Sequence, residues 1–184
     1  MEPLAAEHVP SVVEAALAHP SLWQFIPYSM KSEADVRARV ELGRRLMDGG
    51  TGVVFVTKLV ATGELVGGSA IFTVDAAVPS FEIGATWVVP PWQRSAVNTE
   101  AKYLQLCFAF EVLQAARVEL KTDVLNLRSR AAIARIGASE EGIFRCHMRR
   151  ADGTLRDSVY FSIVERDWPR VKAELERRLS PAAG

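Results

Sequence analysis

The sequence predicts an α+β (mixed α/β) fold. Three observations carry that reading. Two stretches before residue 50 space their apolar residues at the helical period. A set of β-branched runs punctuated by turn residues follows them. Strand-like and helix-like segments then alternate before a final pair of strands, a pattern that packs helices against a sheet.

The elements follow in order. "EHVPSVVEAALAHP" sets Val9, Val12, Val13, Ala16 and Leu17 at helical spacing and stops at Pro20. "LWQFIPYSM" is aromatic, is broken by Pro27 and fits neither period, so it reads as a packed loop. "SEADVRARVELGRRLMDGG" opens on Ser32 with Asp35 three residues later and closes on Gly49 and Gly50, the marks of a capped amphipathic helix. "VVFVTKLV", the turn "ATGE" and "LVGGSAIFTV" form a hairpin. "SFEIGATWVV" is a third strand, in which Gly84 marks a bulge or a close backbone approach.

A helix then runs from about Asn98 to Ala116, with Ala101, Leu104, Cys107, Phe108 and Leu113 or Val112 on its inner face. "RVELKTDV" alternates like a strand, and "LRSRAAIARIG" is a short helix ended by Gly137. "GIFRCHMRR", the turn "ADGT" and "RDSVYFSIV" make a hairpin around Asp152 and Gly153. "DWPRVKAELERRL" is a closing surface helix, with Asp167 as cap and Pro169 in its first turn. Repeats, low-complexity tracts and linkers do not show, so one domain is expected over residues 1–184.

Composition narrows the function. Lys and Arg number 22, as do Asp and Glu, so net charge gives no footprint for nucleic acid or an anionic membrane. No apolar run approaches the ~20 residues that span a bilayer and no signal peptide shows, which makes the cytoplasm the default location. Cys107 and Cys146 both sit in apolar patterns and read as reduced core residues. His8, His19 and His147 form no metal-ligand spacing, and no metal is expected.

The run Gln93, Arg94, Ser95, Ala96, Val97, Asn98, Thr99 lies between the third strand and the long helix. Unpaired N–H groups at a helix start, joined by those of a preceding loop, form a cradle for phosphate. Small side chains suit that task, Arg94 adds a cation, and Asn98 or Thr99 can cap. From composition alone an ordinary β-to-α connection is the favoured reading.

The order of elements and the run "WQRSAVNTEAKYL" resemble the GNAT superfamily of N-acetyltransferases, in the branch that includes ribosomal-protein-alanine N-acetyltransferases. "NLRSRAAIARIGASEEGIFR" and "RDSVYFSIVERDWPRVK" are similar to that branch too, and the likeness runs from Leu4 onward. It implies a mostly antiparallel, twisted central sheet flanked by helices, with a splayed strand pair holding the coenzyme. It implies acetyl-CoA as cosubstrate, its pyrophosphate bound through amides of a Gln/Arg-x-x-Gly-x-Gly/Ala loop. Gln93 matches the first position, Ala96 the first Gly and Asn98 the second small residue. Ala96 departs from the pattern, so the cradle keeps negative φ there or coenzyme binding is weaker. The first strand is expected to be short or missing, since the chain reads Met1, Glu2, Pro3, Leu4 where it would be ending.

The resemblance further implies that Trp87, Val88 and Val89 offer backbone groups to the pantetheine arm and an N–H to the developing oxyanion. Asn126 and Ser129 match the family's Asn-x-x-Ser, with Asn126 bracing the cleft or the arm and Ser129 donating a proton to the leaving sulfur. Both residue types also cap helices. Glu82 is the candidate general base, on the same strand and close to apolar Phe81 and Trp87. Trp23, Phe25 and Tyr28 wall the acceptor pocket or pack the core. Arg128, Arg130 and Arg135 lie at helical spacing, within reach of phosphates or solvent. The expected function is acyl transfer to a primary amine, a protein N-terminus or a small molecule, in a ternary complex. A silent coenzyme A-binding module is the alternative that Ala96 leaves open. Pairing through the last hairpin offers a route to a homodimer.

Overall fold

A computed structural model describes residues 1–150 and 152–180; Ala151, in the expected "ADGT" turn, lies outside the described residues. Strand β1 (Glu2–Pro3) is present but short and leads through a 3₁₀ turn into helix α1 (Val9–Ala18). Helix α2 (Glu33–Asp48) starts at a capping box. The Ser32 hydroxyl accepts from the Asp35 amide at 3.2 Å and the Asp35 carboxylate accepts from the Ser32 amide at 3.1 Å.

Strands β2 (Gly52–Lys58), β3 (Leu65–Asp75) and β4 (Ser80–Val88) form an antiparallel meander. Helix α3 (Val97–Cys107) widens into a π-helical turn at Phe108–Val112. Strand β5 (Arg117–Asp123), helix α4 (Leu127–Arg135), strands β6 (Ser139–Arg149) and β7 (Leu155–Val164), and helix α5 (Trp168–Leu179) complete the chain. The seven strands run in the order β1-β2-β3-β4-β5-β7-β6, and only the β4–β5 pair is parallel.

Apolar residues fill both sides of this sheet unequally. One face packs Ile71, Ile83, Val118, Val159 and Ile163 against α3, α4 and α5. On the opposite face α1 and α2 cover β2 to β4 through Val12, Val36, Val40 and Val56. Beyond β4 that second face turns polar, because Glu119, Lys121 and Asp123 of β5 and Ser158, Tyr160 and Ser162 of β7 alternate with the core residues.

Several expectations need correction. The long helix begins at Val97 and ends at Val112, where Gln114 at φ +51° turns the chain toward β5. Its inner face agrees in part with the expected positions: Ala101 is buried and Cys107 and Phe108 pack against the core, but Leu104 is 45% and Val112 66% exposed, while Thr99, Lys102, Gln105 and Leu106 are buried. The polar members of the buried face centre on a lysine described below. Cys146 is exposed at a bulge in β6, and Cys107 is half-buried; both are free thiols. Asp167 stands at the start of α5 without a side-chain cap bond, and that helix buries Trp168, Val171 and Leu175 rather than lying on the surface.

Leu106→Ala, at a fully buried site, should destabilise the fold by about 2–5 kcal/mol. The thermal midpoint should fall by roughly 5–15 °C. Leu104→Ala should change it by less than about 2 °C. A larger loss from Leu104→Ala in differential scanning calorimetry would restore the face read from the sequence.

Candidate functional site

The site begins where two strands part. Strands β4 and β5 pair over only three positions, Ser80 with Arg117, Phe81 with Val118 and Glu82 with Glu119. Past Glu82 the two diverge into a V. The cause lies on the β3 side of β4. The register jumps from Ala70 opposite Gly84 to Gly68 opposite Trp87, leaving Ala85 and Thr86 opposite the single residue Ser69. This bulge, with Ala85 at φ +49°, bends β4 away from its parallel neighbour. Gly68 permits it, since a Cβ there would meet the Trp87 indole nitrogen at 2.7 Å.

Loop 93–99 closes one end of the V. The Gln93 amide bonds Pro90 O at 3.1 Å and the Val97 amide bonds Ser95 Oγ at 3.2 Å. Between and after them, the amides of Arg94, Ser95, Ala96, Asn98 and Thr99 have no partner among the described residues. Ala96 has φ −68°, and the one positive φ in the loop falls on Arg94, at +63°. The cap differs from expectation: Ala96 is the N-cap residue, and neither Asn98 nor Thr99 caps.

Cations gather here. Arg128 donates to Gln93 Oε1 at 2.7 Å and Arg135 to Thr99 Oγ1 at 3.2 Å, so one face of α4 addresses the loop. Arg130 turns away to Glu140 at 3.0 Å. Gln93 also reaches back, donating from Nε2 to Val88 O at 2.8 Å. Of the three residues expected to offer free backbone, Val89 spends its amide on Val66 O at 2.9 Å and Val88 accepts from Gln93. Trp87 packs against Trp23, ring centroids 5.7 Å apart.

Asn126 is the N-cap of α4, accepting from the Ser129 amide at 3.1 Å. The Ser129 hydroxyl has no partner among the described residues and is half-buried. Glu82 lies on the polar face at the start of the V. One of its oxygens pairs with Lys121 at 2.6 Å; the other lies against Gly84, where an added Cβ would meet it at 2.7 Å. Its surroundings are therefore not the apolar ones read from the sequence. Lys121 sits 5.8 Å from the centroid of the Tyr160 ring, and Tyr160 OH is 3.3 Å from His147 Nε2. Burial, then Lys121 and Arg156, lower the pKa of that imidazole.

The aromatic loop behaves residue by residue. Trp23 and Tyr28 line a cavity of about 80 Å³ that also meets Phe72, Ala85 and Trp87. Phe25 instead gives its carbonyl to Arg156 at 3.2 Å, tying the loop to β7. A larger groove of about 420 Å³ lies by Glu2, His8 and Lys58, at the β1–β2 edge and remote from the V.

Sequence reading missed the buried cation beside the bulge. Lys102, 4% exposed, donates to Ser69 Oγ at 2.9 Å, Thr86 Oγ1 at 2.8 Å and Gln105 Oε1 at 2.8 Å. It has no carboxylate partner among the described residues, and burial pushes its pKa down to about 7. The available signal was spacing, because Thr99, Lys102, Leu106 and Ala109 share one helical face. The Glu82–Lys121–Tyr160–His147 chain was missed for another reason: strand order brings those residues together from four strands.

A family described as "Acetyltransferase (GNAT) domain" matches residues 1–139. A Bacillus subtilis (strain 168) protein named "Putative ribosomal N-acetyltransferase YdaF" is 33% identical over 110 residues, 60% of this chain. That match spans 59% of the relative's own length. A "putative acetyltransferase" from T. thermophilus is 35% identical with a TM-score of 0.84, over 97% of this chain and 92% of that one. A "GCN5-related N-acetyltransferase from Brucella melitensis" is 28% identical with a TM-score of 0.88, over 98% and 81%.

Lys102 sets a stability–pH signature. Between pH about 7 and 10.5 the unfolded chain holds this proton and the folded chain does not, so the group's contribution to stability rises with pH across that window. Lys102→Met lacks this rise. In urea titrations its stability relative to wild type should be most favourable at or below pH 7 and fall by several kcal/mol toward pH 10. A pH-independent difference would mean that the lysine is fully charged in the fold.

Proposed function

The chain belongs to the GNAT family of acetyltransferases, and from that premise we propose that it carries an acetyl group from acetyl-CoA directly to a primary amine. The single observation behind the coenzyme assignment is the row of unpartnered amides at residues 94–96, 98 and 99, opening beside the β4–β5 divergence. A diphosphate suits that row, since helix-start N–H groups and the α3 dipole favour an anion. Arg94 supplies charge from the loop, and Arg128 and Arg135 supply it from α4. Gln93, Ser95 and Val97 fix the loop's shape through their own bonds.

Acetyl-CoA supplies an activated acetyl thioester when bound. The V between β4 and β5 is the channel for the arm, with Trp87, Val88 and Val89 along one wall. Asn126 braces the opposite wall as cap of α4. The free hydroxyl of Ser129 donates a proton to the departing sulfur. Glu82 accepts the amine's proton, directly or through water, at the oxygen that lies against Gly84. Trp23, Phe25 and Tyr28 bound the acceptor side. The name of the B. subtilis relative supports a protein amine as acceptor, with a small-molecule amine as the other class.

Calorimetric titration of acetyl-CoA into the pure protein should show binding with Kd below about 1 mM. An absence of heat at millimolar ligand would end the coenzyme assignment. Arg128→Ala and Arg135→Ala should each weaken binding about 3- to 10-fold, less so at high salt. For the chemical step, thiol release on a panel of free-N-terminal peptides and small amines should fall about 10²- to 10⁴-fold in Glu82→Gln, with acetyl-CoA affinity intact. Gly84→Ala should mimic it in milder form, about tenfold, because the new Cβ displaces the same carboxylate oxygen. Wild-type turnover in both variants would remove Glu82 as the base.

A further inference from the structure

Lys102 has no part in the chemistry proposed above, yet its position is unusual. A buried ammonium without a counter-ion is unfavourable, and a methionine of similar volume would fill the space at less cost. As an ammonium, the form it holds at and below pH about 7, it spends its three N–H groups on the oxygens of Ser69, Thr86 and Gln105. The Ser69 and Thr86 hydroxyls lie 2.8 Å apart, and either can donate to the other. With Ser69 donating to Thr86, the Thr86 proton has only Gly84 O, at 3.5 Å, among the described residues.

Location gives that weakly held proton a use. Thr86 is exposed and belongs to the bulged stretch of β4, beyond the last pair with β5 and two residues before Val88. An extended arm entering from loop 93–99 and running along β4 toward Glu82 passes Thr86. The buried Lys102 behind the hydroxyl strengthens it as a donor, because a charge-assisted bond into an oxygen polarises that oxygen's own O–H.

We propose that Thr86 donates a hydrogen bond from its hydroxyl to a carbonyl oxygen of the acylated pantetheine arm, and that Lys102 is the positioning residue that orients and polarises it. The inference rests on the reading that the β4–β5 divergence holds the coenzyme. The ligand chemistry is a carbonyl oxygen, either of the thioester or of an amide in the arm.

Calorimetry with acetyl-CoA and with CoA, below pH about 7 where Lys102 is charged, on wild type, Thr86→Val, Thr86→Ser and Lys102→Met, tests it. Thr86→Val should weaken acetyl-CoA binding about 5- to 10-fold and lower the thermal midpoint, because one Lys102 N–H loses its acceptor, and Thr86→Ser should restore both. Weakening of acetyl-CoA alone assigns the bond to the thioester carbonyl; equal weakening of CoA assigns it to an amide. Lys102→Met should reproduce the loss, and the Thr86→Val/Lys102→Met double variant should lose no more than Thr86→Val. Wild-type affinity for both ligands in Thr86→Val overturns the proposal, as does additivity in the double variant. If Lys102→Met fails to fold, the Thr86 pair still decides. Failure of wild type itself to bind acetyl-CoA would instead sink the coenzyme reading.

Discussion

The rest of the structure depends on the short parallel seam between β4 and β5. Three residue pairs join a four-stranded half, β1 to β4, to a three-stranded half, β5, β7 and β6. So few ladder bonds cannot hold two halves of a sheet together against solvent. What holds them is the apolar layer on one face, where Ile71 and Ile83 of the first half pack in one cluster with Val118, Leu120 and Phe161 of the second. Helices α3 and α5 lie over that seam, with Leu106 and Leu175 fully buried. The opposite face has no such layer beyond β4. The strands are therefore free to part there, and the unpaired edge groups need a partner from outside the sheet.

Polar and charged groups cluster around that opening, and their placement differs from one side to the other. Toward the α3 start there is an excess of cations, Arg94, Arg128 and Arg135, facing unpartnered amides. Toward the open face the charges are interlocked. Glu82 pairs with Lys121, and the fully buried Asp123 pairs with Arg150 at 2.7 Å. Among the described residues Arg156, 6% exposed, bonds Ser158 and the Phe25 carbonyl. Burial lowers its pKa, with Asp123 opposing that effect. Free amides and cations on one side and a mostly paired polar floor on the other suit the proposed reaction of a charged coenzyme with an amine.

Much of this was legible in the residues. The Ser32–Asp35 box, the "ATGE" turn and the alternation of "RVELKTDV" reflect local rules, and local rules sufficed for each element. Gly84 within its strand announced the bulge. The face of α3 was legible only in part. Ala101, Cys107 and Phe108 lie against the core as their spacing predicts, but Leu104 is exposed and the buried face extends to Lys102 and Gln105. Periodicity assumes that lysine seeks water, and the assumption fails where three oxygens from β3, β4 and the helix itself converge on the ammonium. Departures of that kind concentrate at working parts of a protein, where local preference yields to function. Cys146 misled for a different reason: the bulge that swings His147 toward Tyr160 turns its neighbour outward at φ +51°.

The glycine-free loop resolves along the same lines. A phosphate cradle needs a chain reversal that presents successive amides, and glycine supplies it because positive φ carries no penalty there. Here Ala96 stays at φ −68° and the reversal moves two residues upstream, to Arg94 at +63°. A long side chain in that region stores roughly 1–3 kcal/mol of strain, which the surrounding contacts must hold. Ser95 does so, donating to Trp92 O at 2.7 Å and accepting from the Val97 amide. Gln93 anchors the other flank to β4 and α4. The requirement is thus for a backbone angle, not for a residue type. By meeting it at an arginine the chain places its turn and its cation at one position, so the loop's shape and its charge cannot be varied independently.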